Sequence, residues 1–139
     1  MKPNLNNITY IKKGLWNERA LMKFYKPINE LYVSHTLIEN MYSKEYDIVE
    51  VDTIKNIMME FNHDHIDLLK LDIEGSEIIV LNKMINDEIF PTYLCVEFDL
   101  LKQHIDYNDT TKLMIEKLDK IGYNMIDNDN NNCLFELKR

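Results

Sequence analysis

The chain switches between two hydrophobic periods, and each switch marks an element. "DIVEVD" (47–52) alternates apolar and polar positions as a half-buried strand does. "TIKNIMMEF" follows at once and sets Ile54, Ile57, Met58 and Phe61 on one helical face, predicting a helix that ends near Asn62. The pattern then becomes a short, nearly continuous apolar run, "IDLLKLD" (66–72), which predicts a strand buried on both faces. In "SEIIVLNKMIND" the helical period returns with Ile78, Leu81 and Ile85, and Glu77 sits in the first turn. "PTYLCVEFD" (91–99) predicts a second buried strand, opened by Pro91 and closed by Glu97 and Asp99. "TTKLMIEKLDKIG" (110–122) has Leu113, Met114, Lys117, Leu118 and Ile121 on or beside one stripe, with Gly122 placed as a C′ glycine. "YNMID" and "NCLFELK" flank the polar turn "NDNNN" and predict a closing hairpin.

Upstream, "NITYIKKGL" (7–15) and "ALMKFYKP" (20–27) are rich in β-branched and aromatic residues and predict two short strands. Residues 28–46 show no clear period and predict a variable excursion. Strands that alternate with helices give an α/β fold with a mostly parallel sheet, and such sheets bind ligands outside the carboxyl ends of their strands. Asp72 and Glu97 both fall at such ends, so their carboxylates share one crevice if the two strands are neighbours. Asp72, Glu74 and Glu77 also surround Gly75 at a strand-to-helix junction. A plainer account competes: Glu74 and Glu77 favour a helix N-terminus by about 0.3–1 kcal/mol each, and Asp72 caps that helix.

Composition narrows the choice. With 139 residues, 45% of them hydrophobic, the chain suits one domain (1–139) with a real core. A formal charge of -8 argues against a grip on nucleic acid, which needs clustered Lys and Arg. Cys95 and Cys133 stand in strand-like runs without CxxC spacing, which suits reduced thiols and a cytoplasmic setting. No apolar run approaches the roughly 18 residues of a membrane span. The start, "MKPNLNNITY", is polar.

"IDLLKLDIEGSEIIVL", preceded by "VEVDTIKNIM" and followed by "PTYLCVEFD", resembles the core signature of FkbM-type S-adenosylmethionine-dependent methyltransferases over roughly residues 7–99. That resemblance implies a Rossmann-like class I methyltransferase sheet with a carboxyl-terminal antiparallel hairpin. It implies S-adenosylmethionine as cofactor and a hydroxyl of a small molecule or glycan as methyl acceptor. On the matching positions, Asp72 orients acceptor or cofactor, Glu74 serves as a base, or as a ligand if a divalent cation takes part, Gly75 lets the turn bring the helix N-terminus close, and Glu97 lines the neighbouring strand end. The family's cofactor site uses a glycine-rich turn and a later acid that holds the ribose. These residues hold only Gly14, Gly75 and Gly122, far apart, so no such turn can be written in them. The resemblance therefore covers an amino-terminally shortened domain. It implies either a complementing amino-terminal polypeptide or a homo-oligomer, or else an inactive fragment that acts as a binding module.

Three further patterns carry less. "LDIEGSE" is similar to the nucleophile loop of haloacid dehalogenase-like phosphatases, but a helix follows at once and leaves no room for a cap. "DNDNNN" imitates the first positions of a calcium loop and fails at its sixth and twelfth, Asn132 and Lys138. His63 and His65 suit solvated loop positions better than a metal, and His104 stands just beyond the second strand end.

Overall fold

The computed structural model of the protein describes residues 7–28, 34–39, 43–98, 107–129 and 131–138. In chain order its elements are β1 (Gly14–Leu15), β2 (Ala20–Tyr25), β3 (Tyr46–Asp52), α1 (Ile54–Glu60), β4 (Leu68–Leu71), α2 (Glu77–Asn86), β5 (Tyr93–Glu97), α3 (Tyr107–Lys120), β6 (Tyr123–Asp129) and β7 (Asn132–Leu137). Thr53 starts α1 as the period predicts: its side chain accepts from the Asn56 N–H, a cap worth about 1 kcal/mol. Gly122 follows α3 at φ 108°, a conformation glycine adopts without a Cβ clash, and its N–H bonds Asp119 O at 3.0 Å.

The strands form two sheets, ordered β1-β3-β2 and β4-β5-β7-β6. Only β1 with β3 and β4 with β5 run parallel; β2 with β3, β5 with β7 and β6 with β7 run antiparallel. The expected mostly parallel sheet is thus corrected to a mixed α/β arrangement. Connection length accounts for two of these pairings. A crossover helix, α2, joins β4 to β5 and permits parallel pairing, whereas the short turn between β6 and β7 forces the antiparallel hairpin that the sequence predicts.

One cluster forms the core. Leu71, Leu94, Val96, Cys133 and Phe135 from one face of the four-stranded sheet pack with Val80, Leu81 and Met84 of α2 and Met114 and Leu118 of α3, and Ile54 of α1 joins them. The opposite face carries Lys70 and Cys95, and there Leu68 stays 59% exposed and Tyr93 38%. Strand β4, expected to be buried on both faces, is an edge strand whose one sheet neighbour among the described residues is β5. The apolar run misled because an edge strand with helices on one face needs only alternate residues inside.

Other expectations shift in the same way. Of residues 7–15 only Gly14 and Leu15 pair as a strand, and Ile8 and Tyr10 stay exposed because no strand among the described residues reaches them. On α2 the buried stripe is Glu77, Val80, Leu81 and Met84, with Ile78 and Ile85 at its margin. Leu113 of α3 lies outside the core. In the excursion, Thr36 forms an isolated bridge to Tyr25. Cys133 is buried, Cys95 half-buried, and both are free thiols. No helix among the described residues is long and apolar enough to cross a membrane.

Leu94 is fully buried at the centre of this cluster, and Leu21 is 74% exposed. Replacing Leu94 by Ala is expected to cost about 2–5 kcal/mol in urea unfolding through lost burial and a cavity. Leu21→Ala is expected to stay within about 0.5 kcal/mol.

Candidate functional site

At the carboxyl ends of the parallel pair, register sets Lys70 beside Cys95 and Leu71 beside Val96, so the next positions, Asp72 and Glu97, come level. Two carboxylates on adjacent strands repel each other. The Lys70 ammonium lies between them, 3.1 Å from Asp72 Oδ2 and 3.8 Å from Glu97 Oε2. Its hydrogen bond to Asp72, against a smaller opposing effect of burial, raises the Lys70 pKa above the ordinary lysine value. Lys70 therefore stays a cation at neutral pH and serves as a bridge, with no capacity to take a proton. Asp72 and Glu97 are each about one-third to one-half exposed, so a solute reaches this pair from the open side of the sheet.

The turn behind the cluster is held from within. Glu77 is fully buried, and its carboxylate accepts from the Ile73 N–H at 2.9 Å and from the Gly75 N–H at 3.0 Å. This is how the chain reverses between β4 and α2. Glu74 takes φ 53° and Gly75 φ 100°, left-handed conformations that Gly75 adopts freely and Glu74 at some cost. The Thr36 hydroxyl, from the excursion, donates to the Glu74 carbonyl at 2.6 Å and secures that residue. Asp72 does not cap α2: the N-cap is Ser76, which makes no side-chain capping bond. Glu77 likewise does more than favour a helix N-terminus, because it bonds the turn that precedes the helix.

A second cluster, which the sequence reading missed, closes the other parallel pair. Asp52, 1% exposed at the end of β3, accepts from the Thr53 N–H at 2.9 Å and the Asn56 amide at 2.7 Å through Oδ1. Its Oδ2 faces the Lys13 ammonium at 3.4 Å, which in turn bonds Glu60 at 2.7 Å. Burial pushes the Asp52 carboxyl up, but the bonds from Asn56, Thr53 and Lys13 outweigh it and hold the pKa below the ordinary aspartate value. The signal was available, since "DIVEVDT" ends a strand in an acid just as the two selected strands do. Lys70 was legible too, as the one charge inside "LLKL".

The remaining candidates separate from the site. The ring of His65 meets Thr92 Oγ1 at 3.0 Å and lies near Asp67, and His63 packs beside Phe61. The calcium-like stretch lies in the β6–β7 hairpin. No group of three or more metal-ligating side chains gathers among the described residues. Asp99 and His104 lie outside the described residues.

The family model described as the methyltransferase FkbM domain matches residues 4–125, and the chain belongs to that family. No curated protein and no solved structure matches it.

Two predictions follow from the hydrogen bonds. Glu77→Gln leaves a turn N–H facing a donor instead of an acceptor and is expected to cost about 1–3 kcal/mol in urea unfolding. The stability difference between the wild type and Asp52→Asn is expected to be whole above pH 3.8, the ordinary aspartate value, and to shrink as the pH falls through the lowered folded value. Urea unfolding across that range measures it, and a difference that grows on acidification contradicts the assignment.

Proposed function

We propose that the protein acts in methyl transfer from S-adenosylmethionine to a hydroxyl of a small molecule or glycan, within a Rossmann-like class I methyltransferase arrangement. The family supports the reaction class, and the strand order β4-β5-β7-β6 suits the carboxyl-terminal part of such a sheet. The observation that carries the site is the Asp72–Lys70–Glu97 bridge at the ends of the parallel strands. In this reading Asp72 orients the acceptor, Glu97 lines the pocket beside it and Glu74 takes the acceptor's proton. Attack by a hydroxyl on a methyl carbon requires alignment of the two atoms and removal of that proton.

The described residues do not themselves make a cradle for the cofactor. The Ile73 and Gly75 amides at the strand-to-helix turn, which a bound carboxylate or ribose would use, are already taken by Glu77. Asp52 is likewise filled by Thr53, Asn56 and Lys13. The edge of β4 that no strand among the described residues covers offers the place where a further polypeptide segment completes the sheet and the cradle. That same edge favours a second reading, a catalytically silent module that binds a partner through strand addition.

The test uses the tagged protein purified from its own cells together with whatever copurifies. The assembly is incubated with methyl-tritiated S-adenosylmethionine and a small-molecule and glycan extract. Alkali-stable label, as expected of an O-methyl ether, should appear on the acceptor and fall at least roughly tenfold with Asp72→Ala, the loss expected for a group that positions a reactant. An intact assembly that transfers no label contradicts the proposal and favours the silent module.

A further inference from the structure

The outer face of the three-stranded sheet leaves large apolar side chains in water. Strands β2 and β3 pair with Leu21 opposite Glu50 and Lys23 opposite Ile48, so these four side chains form a block on one face. Leu21 is 74% exposed, Ile48 59% and Tyr46, the next residue of β3 on that face, 43%. The Lys23 ammonium lies over the Tyr46 ring, 4.5 Å from its centre. At the other end of the block the Glu50 carboxylate is held by Arg19 at 3.0 Å and Lys13 at 3.7 Å. Apolar side chains gathered in the open within a rim of charges mark an interaction surface.

Charge and symmetry say what this face admits. Lys13, Arg19 and Lys23 stand against Glu50, Asp52 and Glu60, and Lys26 and Glu45 form a further pair beyond Tyr46. Positive and negative groups balance here, in a chain whose net charge is -8. Two copies can therefore meet at this face without the repulsion that their net charge imposes. The block is also self-complementary, because Leu21 and Ile48 occupy one diagonal and Lys23 and Glu50 the other. A two-fold axis along the apolar diagonal sets Leu21 on its own copy, Ile48 on its own copy, and each Lys23 over the Glu50 of the other chain. An axis along the strands would set Leu21 against Glu50, and one across them would set Leu21 against Lys23. The other diagonal would stack like charge on like charge, which opposes association.

We infer that this face pairs with the same face of a second copy of the chain, about a two-fold axis that runs along Leu21 and Ile48. The two sheets then cross steeply, towards the orthogonal class of sheet packing. So few apolar groups bury less than the roughly 1,200 Å² of a stable interface, and the dimer is accordingly weak and concentration-dependent. The pairing involves neither the edge of β4 nor Asp72 and Glu97, and it does not rest on the methyl-transfer reading.

The experiment is analytical ultracentrifugation of the full chain at concentrations from micromolar to millimolar. A reversible equilibrium between monomer and dimer is expected. Leu21→Glu, which sets two carboxylates together on the axis, should weaken the dimer at least roughly tenfold through lost apolar burial. Its urea unfolding should stay close to the wild type, because the position is exposed. Lys23→Glu and Glu50→Lys should each weaken self-association, and an equimolar mixture of the two should restore it, because both cross pairs then join opposite charges. A monomer at every concentration overturns the inference and leaves the face to a different protein or a lipid surface. A dimer that Leu21→Glu leaves unchanged lies on another surface and overturns it equally. Folded charge variants whose mixture fails to dimerise overturn the two-fold arrangement, and Leu21→Glu decides the face should either charge variant fail to fold.

Discussion

The bond between the Glu77 carboxylate and the backbone of its own preceding turn is the constraint on which the site depends. A carboxylate taken out of water is costly unless it is hydrogen-bonded, and Glu77 is fully buried. The Ile73 and Gly75 amides meet that need and thereby fix the course of the chain between β4 and α2. Three results follow. Asp72 is left at the mouth of the sheet, level with Glu97. Val80, Leu81 and Met84 of α2 are delivered to the core. The turn's amides face inward, so they are spent on structure and do not grip a ligand.

The two parallel pairs repeat one device at different depths. Each ends in an aspartate held by a lysine, Asp72 by Lys70 and Asp52 by Lys13. Asp72 stays half in water, where an ion pair contributes about 0–1 kcal/mol and its carboxylate remains reachable by a solute. Asp52 is enclosed and takes two further hydrogen bonds, so its charge organises the end of β3 and the start of α1. The difference in burial separates a carboxylate that a solute can reach from one that holds the end of a strand.

Much of the fold was legible because its signals are local. The helical face of α1, the Gly122 stop and the "NDNNN" hairpin depend on a few adjacent residues. The family signature likewise sits in one continuous block around Gly75. What escaped depends on neighbours far along the chain. Nothing in "IDLLKLD" says that β4 has one sheet partner, and nothing in "NITYIKK" says that no strand comes to meet it. The Lys13 bridge was hidden for the same reason, since Lys13 meets Glu60 only after β1 has paired with β3 and α1 has followed it. The strand-end rule selected Asp72 and Glu97 as candidates, and applied evenly it would have selected Asp52 as well.

Amide hydrogen exchange at Ile73 and Gly75 tests the central constraint most directly. If the buried Glu77 carboxylate holds the turn, both amides are protected nearly as well as the core strand β5 and exchange only in large-scale opening. Exchange as fast as in the exposed loop residues 63–65 would show that the turn opens on its own. The strand-end cluster would then have no fixed geometry for chemistry to use.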